Sequence, residues 1–249
     1  MKGLLRSILV VLAALVMSSG AARAIPMLLI TDGTTTLIIH DENLAGAPAA
    51  TTPDGLTGPG MAGVVHYSGI VSGTSVWSVV VSTGFTKPAQ GSAGAPHMHT
   101  NVVATSTGAG TLTVMFTDTD FTPVPNGAFV SMAGGAVSSL AGSSMLLQTY
   151  ADAGNLPFGD TVPPIVPGTS LLITQGPFGP GAFSNTKGGP GPAGAPYSLT
   201  QVITITHGRG IGVSSVDVDL TAIPEPGSLL LLGSGLLGFG YLRRRKRVI

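Results

Sequence analysis

The chain has no cysteine among its 249 residues, which excludes a disulfide framework and any thiol chemistry. Charge is scarce: Asp, Glu, Lys and Arg make up 9 % of the sequence, against about a quarter in an ordinary domain. Aromatic residues amount to 5 %, with a single tryptophan, Trp77, set in an apolar stretch that reads as core rather than as a sugar platform. Active sites concentrate ionisable groups with perturbed pKa values, so such sparse charge is poor material for one. The sequence holds no H-E-x-x-H motif, no G-x-S-x-G elbow and no twelve-residue calcium loop. Between the two ends no stretch carries the 3.6-residue apolar period of an amphipathic helix.

Glycine and proline are plentiful, 37 and 19 residues, a combined share just below that of disordered low-complexity chains. The formal net charge of +0 is unevenly spread. Eight of the eleven basic residues lie at the ends, whereas residues 25–222 hold only Lys87, Lys187 and Arg209 against ten acids, a balance of −7. A surface of that sign repels a phosphate backbone, so no nucleic-acid partner is expected.

The N-terminus has three parts. Lys2 and Arg6 form a positive start, residues 8–17 are an apolar run, and residues 18–24 are small and polar, closing on Ala22-Arg23-Ala24. This is the layout of a signal peptide, with cleavage expected after Ala24. The ten-residue run is too short to span about 30 Å of hydrocarbon, which speaks against an uncleaved anchor.

The C-terminus is the most specific feature. Pro224-Glu225-Pro226 precedes a Leu/Gly-rich run containing Gly233, Gly235, Gly238 and Gly240, and Arg243, Arg244, Arg245, Lys246 and Arg247 follow. These three parts, in this order, resemble the PEP-CTERM sorting signal of Gram-negative bacteria. The resemblance covers about a tenth of the chain. It implies recognition by exosortase, a membrane-embedded cysteine protease, passage through the inner membrane as an intermediate, and release or transfer to the cell surface or extracellular matrix. It also implies company with exopolysaccharide production and biofilm formation. Physical chemistry is consistent with this. Residues 227–242 as a helix would extend about 24 Å, slightly less than the bilayer core, and arginines can snorkel across the shortfall. The basic end would stay in the cytoplasm, leaving the preceding domain outside. The two prolines stop the helix upstream and keep the backbone extended for a protease. The competing reading is a permanent single-pass anchor whose glycines only pack helices.

Between the ends the pattern has period two. Leu112, Val114 and Phe116 alternate with threonines, and Val216, Val218 and Leu220 alternate with Asp217 and Asp219. Leu199, Ile203 and Ile205 share one side of their stretch, with Gln201 the exception. Strands are also expected at 27–31, 35–40, 63–71, 76–81, 101–106, 136–150 (with a break at Gly142) and 170–175. The segments 45–60, 156–168 and 176–196 read as loops rich in Gly and Pro; residues 188–196 keep Gly at every third place for three triplets, far too few for a collagen helix. The expected fold is an all-β antiparallel sandwich of about 8–11 strands, flanked by an N-terminal signal helix and a single C-terminal hydrophobic helix. The expected division is 1–24 signal peptide, 25–222 β-sandwich domain and 223–249 sorting tail.

Two groupings could carry metal chemistry. His97 and His99 point to one side of an extended chain and could ligate zinc or copper with help from elsewhere; the plainer reading is a pair of exposed histidines beside a loop. Asp118 with Asp120, and Asp217 with Asp219, are spaced acids suited to calcium, although alternation alone would put such acids on a wet strand face. The leading expectation is therefore an exported, non-enzymatic surface or matrix protein of structural or adhesive role, with no cofactor. The alternatives are a calcium or saccharide binding module and, behind it, a secreted hydrolase, whose catalytic carboxylates need not be adjacent in sequence.

Overall fold

The computed structural model describes residues 26–41, 52–54, 61–73, 75–124, 127–159, 168, 170–192, 194 and 196–223. The signal segment, most of the expected loops 45–60 and 156–168, and the tail from Pro224 onward lie outside them, as do both terminal helices of the expected fold.

Within the described residues the chain forms thirteen strands: β1 (Met27–Thr31), β2 (Thr36–His40), β3 (Thr52–Pro53), β4 (Val64–Ser72), β5 (Val76–Phe85), β6 (His97–Ser106), β7 (Gly110–Phe121), β8 (Ala128–Val137), β9 (Ser144–Asp152), β10 (Ser170–Phe178), β11 (Gly181–Pro190), β12 (Tyr197–His207) and β13 (Gly212–Ile223). They build two sheets, one in the order β10-β9-β12-β7-β1-β2-β3 and the other in the order β11-β8-β13-β6-β5-β4. Every pairing is antiparallel except the two-residue contact of β2 with β3. The inner faces enclose one large core, as in a β-sandwich.

The alternation in the sequence explains which side chains fill it. Leu112, Val114 and Phe116 of β7 are fully enclosed, and Val216, Val218 and Leu220 of β13 meet them from the opposite sheet. Trp77 of β5 is fully buried in the same cluster. Gly84 is needed where β5 crosses the core, because a Cβ there would lie 2.8 Å from the Phe116 ring. A break in pairing between Val81 and Thr83 precedes it; Gly84 then faces inward and Phe85 lies beside His99, its ring 6.1 Å away.

The segment 176–196 is not a loop along its length. β10 continues to Phe178, and after a short turn β11 pairs with β8 over ten residues, carrying the chain from one sheet to the other. Phe178 and Phe183 stack across this crossing, ring centroids 4.1 Å apart. No apolar alternation marks β11, and its side chains are almost all exposed. Backbone pairing at the sheet edge makes the strand, and Gly189 lets it pass close to β10, where a Cβ would sit 2.4 Å from the Leu172 carbonyl oxygen. With β3 and β8, this brings the strand number above the expected range.

Polar groups bridge the two sheets through the core. Gln201, the exception in the β12 pattern, is buried on the inward side and accepts a hydrogen bond from Thr100 Oγ1 at 2.6 Å. His207 is buried with its two ring nitrogens each 2.7 Å from a serine hydroxyl, Ser106 and Ser214, and its ring lies 4.8 Å from that of Trp77. Burial holds the His207 pKa below its ordinary value of 6.5. The folded chain therefore keeps this imidazole neutral, whereas the unfolded chain protonates it below about pH 6.5. Its contribution is complete above that pH and is lost as pH falls through the lower, folded value. The melting temperature should accordingly drop on acidification from pH 7 to pH 5, and His207→Gln should flatten that slope; equal slopes in both proteins would remove His207 as the cause.

Candidate functional site

Of the residues that the sequence points to, some are brought together by the structure and others lie outside its described residues. Ala22, Ala24, Pro224, Glu225, Pro226 and the basic run Arg243, Arg244, Arg245, Lys246 and Arg247 belong to the second group. The structure does show what the tail is attached to. β13 is an interior strand of the six-stranded sheet, paired with β6 on one side and β8 on the other up to its last residues. The Ala222 N–H donates to the Pro96 carbonyl at 2.9 Å, and Ile223 is the last described residue before Pro224.

His97 and His99 come directly after the loop, but their side chains are partly covered, 28 % and 22 % exposed. They lie on β6, directly opposite Thr221 and Asp219 of β13. The two motifs separated by more than a hundred residues thus meet on the outer face of one sheet. His97 Nε2 is 2.7 Å from Asp219 Oδ2, and His99 Nδ1 is 3.6 Å from Asp217 Oδ1 and 3.8 Å from Asp219 Oδ2. Asn101 Nδ2 donates to Asp217 at 3.3 Å, Thr221 Oγ1 donates to Asp219 at 2.9 Å, and the Gln90 side-chain nitrogen lies 2.8 Å from His97 Nε2. This is an outward-facing polar patch satisfied largely by its own members. Among the described residues no group of three or more His, Cys, Asp or Glu is arranged to hold a metal ion.

Asp118 and Asp120 lie on β7, in the other sheet from Asp217 and Asp219, so the two acid pairs do not share a site. Nor does Asp118 occupy a wet strand face. It is fully buried and forms an ion pair with Lys87 at 2.8 Å, the two side chains 0 % and 4 % exposed. Asp118 has the parity of Leu112, Val114 and Phe116 along β7, so alternation itself turns it toward the facing sheet; the other face of β7 is covered too, where Met115 packs with Phe158 in a second cluster. A pairing irregularity in β12, between Tyr197 and Leu199, falls opposite this stretch. Asp120 has a positive φ of 60° and is tied to Asn155, whose Nδ2 donates to Oδ1 at 2.6 Å and whose Oδ1 accepts the Asp120 N–H at 2.7 Å. Reading the sequence missed Lys87, although its isolation as one of three basic residues in a long acidic interior was the available signal.

An open groove of about 430 Å³ lies where β2 and β4 meet, lined by Leu37, Ile39, Asp54, His66, Tyr67, Ser68 and Ile70.

A family model described as the PEP-CTERM protein-sorting motif matches residues 222–246. The chain carries a PEP-CTERM sorting signal. The match overlaps the last two residues of β13. A PEP-CTERM signal marks an exported protein destined for the cell surface, with exosortase as the partner that recognises it. No curated protein matches the chain. Among solved structures, the K1 cleaved adhesin domain of Lys-gingipain from Porphyromonas gingivalis W83 aligns with a TM-score of 0.28 and 13 % identity, over 66 % of this chain and 99 % of that one. The K3 cleaved adhesin domain of the same protein aligns with a TM-score of 0.28 and 14 % identity, over 50 % of this chain and 74 % of that one.

Proposed function

We propose that the sandwich is a structural or adhesive component of the cell surface or extracellular matrix, without catalytic activity and without a cofactor, working alongside exopolysaccharide. The observation that carries this reading is the PEP-CTERM motif that follows on from β13, the last strand among the described residues. In this reading the signal peptide is removed after Ala24. The hydrophobic run holds an intermediate in the inner membrane with Arg243 to Arg247 inside, and exosortase cuts near Pro224-Glu225-Pro226. Hydroxyl- and amide-rich outer faces then supply hydrogen bonds to glycans or to like neighbours.

The test is intact-mass measurement of the protein from native cells, with fractionation of a strain expressing a chain that ends at residue 222. The expected mature protein lacks residues 1–24 and the hydrophobic run, and the truncated chain is lost from the surface fraction. A mature protein that keeps residues 229–249 would reject processing in favour of permanent anchoring.

The groove favours a second reading, a saccharide-binding module. Its size suits a small ligand, and Tyr67, His66, Asp54 and Ser68 offer the ring and polar groups that a sugar requires. Calorimetric titration with a glycan panel tests it: binding that Tyr67→Ala weakens at least tenfold supports the module, and no heat with any glycan rejects it.

A further inference from the structure

We infer that Lys87 and Asp118 condense to an intramolecular amide that joins the two sheets covalently. Lys87 follows β5 of the six-stranded sheet, and Asp118 lies on β7 of the seven-stranded sheet. Both are buried, with Nζ 2.8 Å from Oδ2, so the nucleophile is held one bond away from the carbon it would attack. Holding reactants at contact distance in a dry site is worth orders of magnitude in rate over the same groups free in water.

The surrounding groups are placed for the reaction. The Thr119 backbone N–H donates to Asp118 Oδ1 at 2.7 Å, where negative charge would develop in a tetrahedral intermediate. Thr86 Oγ1 donates to Oδ2, the leaving oxygen, at 2.7 Å. The Thr119 carbonyl accepts from Nζ and orients it. The Phe121 ring, with its centroid 4.0 Å from Nζ, walls off water on one side. Burial pushes the Asp118 carboxyl above its ordinary pKa, against the pull of Lys87, which favours the neutral acid that amide formation needs.

The step balances without an external reagent. A proton passes from the ammonium to Oδ2 along their hydrogen bond, leaving an amine and a carboxylic acid. The Nζ lone pair attacks Cγ and the N–C bond forms. A second proton moves from nitrogen to Oδ2, the Cγ–Oδ2 bond breaks, and one water departs; nothing is oxidised or reduced. An exported chain without cysteine has no disulfide to secure it, and this bond would close a loop between residues 31 apart in sequence.

The experiment is intact and peptide mass spectrometry of the full-length expressed chain. The expected mass is lower than the sequence requires, for the termini found, by one water, and proteolysis yields a branched peptide joining Lys87 to Asp118. Lys87→Arg and Asp118→Ala should each restore the full mass. Asp118→Asn should form the same amide with loss of ammonia, which a purely structural ion pair would not do. A wild-type chain at full mass overturns the proposal whatever the variants do. So does a water loss that persists in Lys87→Arg, which would place it in a succinimide at Asp118.

Discussion

Asp118→Ala should destabilise the domain by about 3–5 kcal/mol, the usual cost of removing one member of a buried pair. Among the described residues, Lys87 then keeps the Thr119 carbonyl and the Phe121 ring as its neighbours in the interior. Its ammonium must either stay charged in a poorly solvating site or give up its proton, and both routes cost free energy. In a domain of this size, roughly 2–4 °C per kcal/mol puts the loss in melting temperature at about 10 °C. Replacing both partners, Lys87→Met with Asp118→Leu, should recover part of this, because no charge is left stranded. Recovery stays incomplete because Thr86 Oγ1 and the Thr119 N–H lose their acceptor. Thermal melts of the three variants check this; an Asp118→Ala protein within 1 kcal/mol of wild type would mean that the pair contributes little. Where the amide has formed, the single variant loses that constraint as well and the midpoint falls further.

Trp77→Ala should be comparably severe, about 3–5 kcal/mol, as expected for deleting a large enclosed aromatic side chain. Trp77 is 0 % exposed and faces the main core from β5. Its ring is neighboured by His207, so the cavity would also remove the support of a buried neutral imidazole. Trp77 Nε1 has no hydrogen-bond partner among the described residues. Trp77→Phe therefore gives up volume but no hydrogen bond, and should cost only about 1–2 kcal/mol. Chemical denaturation of both variants separates the contributions. Equal losses in the two would show that the indole N–H matters after all.

Much of the fold was legible because period-two alternation reports a strand with one face buried. β1 lies at the expected residues, and the apolar faces of β7 and β13 form the core as their spacing requires. β11 was illegible for the same reason: an exposed edge strand buries almost no side chain, so backbone pairing alone defines it and leaves no pattern to read. Gln201 looked like an error in a hydrophobic row, yet it is inward like its neighbours and satisfied by Thr100 of the facing sheet.

The export and sorting signal and the class of fold are both written in local stretches of the chain. A sorting signal works as a linear segment, so Pro224-Glu225-Pro226, the apolar run and the arginines are readable in order. Strand alternation is likewise local. Only the tertiary structure decided which side chains meet. His97 and His99 find Asp217 and Asp219 because the β6 and β13 register aligns them across a long gap in sequence. Asp118 finds Lys87 because two sheets close over both. Those encounters depend on sheet order and register, which are set by how all the strands pack together, and no stretch of the chain encodes them alone.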